Sequence, residues 1–192
     1  LYVQRGIYDR FCAGMAEKAK GFSFGDPYAS TTTMGPVISA EHRDKVLSYY
    51  GKARAAGAEI LAGGGVPDVP GLAGGYFVQP TVWTGLGPDA SVITDEIFGP
   101  CTHITPFDSE EEGLALANAS PYGLATSIWT TNLARAHRSA AQIEVGIAWV
   151  NSWFLRDLRT PFGGSKASGI GREGGIHSME FYTELRNICI KL

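Results

Sequence analysis

Ala125-Thr126-Ser127-Ile128-Trp129-Thr130, then Leu133 to Ile143, then Gly146-Ile147-Ala148-Trp149-Val150 reads as strand, helix, strand. The second strand is almost wholly apolar, as a strand covered on both faces of a parallel sheet must be. Strands separated by helices in this way predict an α/β protein, with a largely parallel sheet flanked by helices. Right-handed crossovers would place the connecting loops at one edge. In open α/β sheets the site lies beyond the C-terminal ends of the strands. Glu96 and Asn151 are both expected at positions of that kind.

The same alternation extends upstream. Leu1 to Gln4 reads as a strand feeding a helix from Gly6 to Lys20, with Ile7, Phe11, Met15 and Ala19 as its apolar stripe. Gly21 to Pro36 is loop. Ser39 is placed to cap a helix that runs to about Ala56, where Gly57 stops it. Ala58 to Leu61, Tyr76 to Val82 and Thr102 to Phe107 read as strands, with a Gly/Pro loop from Val66 to Gly75. Ser109 followed by Glu110-Glu111-Glu112 starts a helix that carries to Asn118. The closing run Phe181 to Leu192 alternates, with Ile188, Ile190 and Leu192 on one face, and would be a template for pairing with another chain.

Composition narrows the function classes. The 192 residues are 44% hydrophobic and 18% charged, with a formal net charge of −3. The basic residues are scattered, which argues against a nucleic-acid partner. No apolar run approaches the roughly 18 residues of a membrane span. Cys12, Cys101 and Cys189 are few, odd in number and far apart, so neither a metal spacing nor a secreted disulfide framework is expected. A reducing, cytoplasmic setting fits them better. His42, His103, His137 and His177 also lack metal-ligand pairing. The chain opens on a strand at Leu1 with no initiator Met, which reads as a polypeptide cut from something longer.

Asp95-Glu96-Ile97-Phe98-Gly99-Pro100 carries the chemistry. The Glu96 carboxylate can accept hydrogen bonds from two vicinal hydroxyls, and the ring of Phe98 can lie against a flat heterocycle. The motif resembles the cofactor-facing segment of the aldehyde dehydrogenase superfamily. The likeness continues at Trp149-Val150-Asn151-Ser152 and at Thr160 to Gly169, and covers nearly the whole chain. It implies NAD or NADP as cofactor, with Glu96 on the ribose beside nicotinamide and Phe98 packed against it. The segment with His42 and Lys45 resembles the helix that meets the other end of the same cofactor, although the family more often has Gln where His42 stands. The resemblance also implies an aldehyde substrate, a cysteine thiolate that attacks it, hydride transfer to nicotinamide, and water activated by a glutamate. Nucleophile and general base would both lie upstream of Leu1.

Three cysteines offer themselves as nucleophile, and none matches the family motif. Gly169-Ile170-Gly171-Arg172-Glu173-Gly174 fits a dinucleotide-binding pattern but follows no apolar strand and precedes no βαβ unit, so it is rejected as a phosphate loop.

Substrate choice is written in Asn151 to Arg159. Arg156 and Arg159 stand where relatives carry aromatic or small apolar residues. Arginine grips a carboxylate bidentately, so an aldehyde that also bears an acid group is expected. The run is most similar to the muconate-semialdehyde dehydrogenases, which oxidise 2-hydroxy- or 2-aminomuconate semialdehyde. Asn151, Arg156, Arg159 and Phe162 are the candidate substrate residues; alternatively, one of the two arginines pairs with Asp157 and the other faces solvent or a subunit contact. The resemblance implies residues 1–175 as catalytic domain, residues 176–192 as a terminal strand for subunit contacts, and a homo-oligomer, dimer or tetramer. The rival is a catalytically inactive lobe that acts only in folding and assembly.

Overall fold

In the computed structural model, which describes residues 1–192, the chain divides into two units, Leu1–Gly113 and Leu114–Leu192. The first holds β1 (Tyr2–Gln4), α1 (Tyr8–Lys20), α2 (Ala40–Ala55), β2 (Glu59–Ala62), β3 (Thr81–Thr84), α3 (Ser91–Thr94), β4 (Cys101–His103) and β5 (Thr105–Phe107). Helix α4 (Glu110–Asn118) runs across the division, and the second unit adds β6 (Tyr122–Gly123), β7 (Ala125–Ile128), α5 (Leu133–Gln142), β8 (Ile147–Val150), β9 (Ser165–Lys166) and α6 (Gly175–Tyr182).

Strands β1–β5, β3–β4 and β7–β8 pair in parallel, whereas β2–β3 and β6–β9 pair antiparallel. The fold is mixed α/β with mainly parallel pairing, as the strand–helix–strand pattern predicts. β7 and β8 run in register from Ala125↔Ile147 to Ile128↔Val150, with α5 as their crossover. β3 is buried at every residue, and Trp83 packs edge-on to Tyr50 of α2, ring centroids 6.0 Å apart.

Caps written in the sequence form as expected. Ser39 accepts from the His42 N–H at 3.2 Å, and Gly57, at φ 89°, lies just beyond the end of α2. At α4, Ser109 accepts from the Glu112 N–H at 3.2 Å and the Glu112 carboxylate accepts from the Asp108 N–H at 2.7 Å. That reciprocal pair is close to a capping box.

Three expectations change. The core face of α1 is Cys12, Ala16 and Ala19, flanked by Tyr8, Phe11 and Met15, while Ile7 lies in a 3-10 turn and is 45% exposed. Tyr76 to Pro80 is not strand, because its backbone bonds to loops: Val37 N–H donates to Tyr76 O and Gln79 N–H to Gly65 O. The stretch after 175 opens with a helix. Gly174, at φ 97°, leads into α6, and Ile176, Met179 and Phe181 follow no two-residue alternation. Residues 184–192 pair with no strand of the chain itself. No helix is long and apolar enough to cross a membrane.

Candidate functional site

One face of α2 holds the turn at residues 95–100. His42, Lys45, Val46 and Tyr49 follow the spacing that puts residues on one helical stripe, and each meets a different part of the turn. Tyr49 OH donates to Asp95 Oδ2 at 2.9 Å, Lys45 Nζ donates to Glu96 O at 3.1 Å, and His42 Nε2 lies 2.7 Å from Phe98 O. With the carbonyl as acceptor, that imidazole nitrogen carries the proton. Val46, wholly buried, faces Gly99 so closely that a Cβ there would sit 2.7 Å from its nearer methyl. Pro100 O then accepts from the Thr81 N–H at 2.9 Å, which joins the turn to β3.

This placement corrects the expected position of Glu96. Parallel pairing of Thr81 with Cys101 puts the turn at the N-terminal mouth of β4 and beside the start of β3, not beyond a C-terminal end. Glu96 is exposed, its carboxylate makes no hydrogen bond or ion pair, and its backbone carbonyl accepts from Lys45. Phe98 is 76% exposed and sits at φ 59°, a region that costs a non-glycine residue roughly 1–3 kcal/mol. Its ring meets the His42 ring edge-on, centroids 6.2 Å apart. Beside the turn lies a cleft of about 290 Å³, lined by Ile97, Phe98, Gly99, Cys101 and His103 among others, and Glu96 is not in its wall.

An acceptor-only carboxylate with no partner, near an exposed ring in a strained conformation, on a turn held at five points, fits a vicinal diol joined to a flat ring. The residues present therefore suit the ribose and nicotinamide that the resemblance implies. His42 and Lys45, expected to touch such a ligand, spend the contacts described here on the backbone of the turn. His42 and Lys45 stand out in the sequence, but their partner about fifty residues further along the chain does not.

The docking is close enough to test. Gly99→Ala should lower stability by about 1–3 kcal/mol, the usual penalty of overpacking. Combined with Val46→Ala, the total loss should be smaller than the sum of the two single losses, because the second change vacates the space the first needs. Thermal unfolding of the two singles and the double reads this; strict additivity would show that Gly99 is not packed on Val46.

The second unit carries the arginine loop. Asn151, at φ 50°, follows β8 and uses both ends of its carboxamide on Thr130: Oδ1 accepts from the Thr130 N–H at 2.9 Å and Nδ2 donates to Thr130 O at 2.8 Å. It ties the end of β7 to β8. The loop then folds back over β8. Ser127 Oγ donates to Ser152 O at 2.6 Å, Trp149 Nε1 donates to Leu155 O at 2.8 Å, and Trp153 packs on Trp149 at 5.3 Å between centroids.

Beyond Leu155 the two arginines part company. Arg159 closes on Asp157 through Nε to Oδ1 at 2.9 Å and Nη2 to Oδ2 at 2.5 Å, with its side chain 88% exposed. The hydrogen bonds from Arg159 hold the Asp157 carboxyl below its usual range. Arg159 is thus paired at the surface with Asp157. Arg156 is different. Its backbone is open to solvent but its side chain is only 27% exposed, stacked over the Phe162 ring at 4.0 Å and bonded through Nη2 to Glu173 Oε1 at 2.7 Å. Those contacts leave Nε and Nη1 for another acceptor.

The rejected glycine pattern has a structural purpose. Gly174 and Gly175, both at positive φ, lie against the carbonyls of Leu158, Arg159 and Thr160, where no Cβ fits. Burial pushes the Cys101 thiol up to about 11 and raises that of Cys12 as well, so neither is a thiolate near neutral pH. No cluster of potential metal ligands occurs.

The model of the aldehyde dehydrogenase family matches residues 1–188. A 2-hydroxymuconic semialdehyde dehydrogenase of Pseudomonas sp. (strain CF600) is 63% identical over 193 residues, an alignment that takes in 100% of this chain and 40% of that protein. A 2-aminomuconic semialdehyde dehydrogenase of Bos taurus is 44% identical over 194 residues, again 100% of this chain and 40% of the other. Among solved structures, a betaine aldehyde dehydrogenase from Staphylococcus aureus in complex with NAD+ superimposes with a TM-score of 0.91 at 39% identity, covering 94% of this chain and 36% of that one. The chain spans about 40% of the length of the curated relatives it matches.

Proposed function

The chain belongs to the aldehyde dehydrogenase family, and from that premise we propose that it is the C-terminal portion of an NAD(P)-dependent enzyme that oxidises a carboxylate-bearing semialdehyde to the acid. The observation that carries the reading is Arg156: a guanidinium held on an aromatic ring, with donors to spare, in a loop where a neutral aldehyde needs no charge. The relatives named for 2-hydroxy- and 2-aminomuconic semialdehyde support the same substrate class. Bound NAD would supply the hydride acceptor. Glu96 would accept hydrogen bonds from the ribose hydroxyls, Phe98 would pack against the nicotinamide side, and His42 and Lys45 would keep the turn in place. Arg156 would take the acid end of the substrate. Residues 184–192, with Ile188 67% and Ile190 76% exposed, would add as a strand to a second copy.

The nucleophile and the general base are assigned to a part of the enzyme outside this chain. The full-length protein should therefore reduce NAD when given 2-hydroxymuconate semialdehyde, and the purified, mass-verified chain of 192 residues should not. Turnover by that chain alone, lost on Cys12→Ser, would show that the nucleophile has been misplaced.

A further inference from the structure

We propose that Glu173 is a positioning residue for substrate selection: it fixes the Arg156 guanidinium in the pose that receives the acid group. The inference rests on the reading of Arg156 given above. Glu173 lies in the glycine-rich run that is no phosphate loop, and the structure gives that run another task.

Phe162 and Glu173 face each other in an antiparallel bridge, with Phe162 N–H donating to Glu173 O at 2.8 Å and Glu173 N–H to Phe162 O at 2.7 Å. One bridge therefore presents both supports of Arg156, the ring beneath its guanidinium and the carboxylate at Nη2. The bridge is itself held. Gly175 N–H donates to Leu158 O at 3.1 Å, and Arg172 Nη1 donates to Gly164 O at 2.5 Å. Two backbone segments, 156–164 and 171–175, are laced together with Arg156 on one and Glu173 on the other.

A free arginine side chain samples many rotamers, and only a few would aim Nε and Nη1 at one carboxylate. A ring contact alone leaves the guanidinium free to turn in its own plane. A carboxylate on Nη2 stops that rotation, which is how a supporting shell fixes a recognition group. Glu173 also has an opposing effect, since its negative charge would repel the substrate's acid. Its side chain is 63% exposed, so water screens that repulsion, whereas orientation is local and unscreened. Orientation should win.

The full-length enzyme tests this with four variants: Glu173→Ala, Glu173→Gln, Arg156→Ala and the double Arg156→Ala/Glu173→Ala. The quantity is the ratio of kcat/KM for the acid-bearing semialdehyde to that for a neutral aldehyde of similar length. Glu173→Ala should lower it by on the order of tenfold, a fraction of the ~hundredfold that a 1 Å misplacement can cost, and through KM more than kcat. Glu173→Gln keeps an acceptor oxygen for Nη2 and should recover most of the ratio. The double variant should be no worse than Arg156→Ala alone, because the support has nothing left to support. A ratio that rises in both Glu173 variants would mean that repulsion dominates, and would overturn the proposal. Multiplying effects in the double would overturn it too, since Glu173 would then act independently of Arg156. An unchanged ratio in Arg156→Ala would instead sink the underlying carboxylate reading, a failure this arm identifies separately.

Discussion

Arg156→Ala in the full-length enzyme should lower kcat/KM for a carboxylate-bearing semialdehyde by about 30- to 150-fold relative to a neutral aldehyde of the same length. The figure corresponds to roughly 2–3 kcal/mol, the loss of a charge-assisted, two-point contact in a partly dry pocket. The side chain is shielded by Phe162 and by its own loop, so its charge is less screened than that of a surface arginine. Arg159→Ala is the internal control. That guanidinium is 88% exposed and closed on Asp157, so its removal should leave the ratio near the parent's value. Use of a ratio removes any general loss of folded enzyme, which would lower both activities alike. If Arg156→Ala leaves the ratio unchanged, the acid-group pocket is disproved, and the substrate class must be sought among uncharged aldehydes.

What could be read from the residues was mostly local. Ser39 and Ser109 cap helices because an N-cap acts on an N–H two or three residues away, within sight of the sequence. The strand–helix–strand run from Ala125 to Val150 was legible for the same reason: length, apolar character and a crossover of the right size determine parallel pairing. The motif from Asp95 to Pro100 stood out by its residue types alone.

The rest depended on partners distant in the chain. Nothing near Tyr76 to Pro80 discloses that its backbone bonds to Val37 and Gly65, so an aromatic, β-prone run reads as a strand. The face of α1 was off by one position because small Cys12, Ala16 and Ala19 pack under β2 and β3 while larger residues border them. Small residues carry weak periodicity yet permit the closest approach. Phe98 at φ 59° could not be foreseen, since a left-handed aromatic is disfavoured locally and persists only where its surroundings hold it. The clamp of His42 and Lys45 on the turn explains that persistence. Sequence likeness alone assigns those two side chains to the ligand; the structure shows them bonded to the backbone of the turn.

Glu96→Gln should slow the hydride-transfer step by on the order of a hundredfold and leave the fold intact. The fold is spared because the exposed Glu96 carboxylate makes no hydrogen bond or ion pair, and the one tie at this residue, Lys45 Nζ to its carbonyl, is untouched by a change beyond Cβ. The rate suffers because glutamine of the same shape offers one neutral acceptor where the carboxylate offered two charged ones. The ribose would then be held at one hydroxyl and could pivot, and a displacement near 1 Å between reacting atoms costs about 10²-fold. Stopped-flow formation of NADH separates this step from product release, and thermal unfolding run alongside verifies that the variant is folded. A drop in the burst rate with unchanged melting places Glu96 on the cofactor. A hydride step as fast as the parent's would leave the exposed carboxylate, and the strained ring two residues on, without the ligand they are proposed to hold.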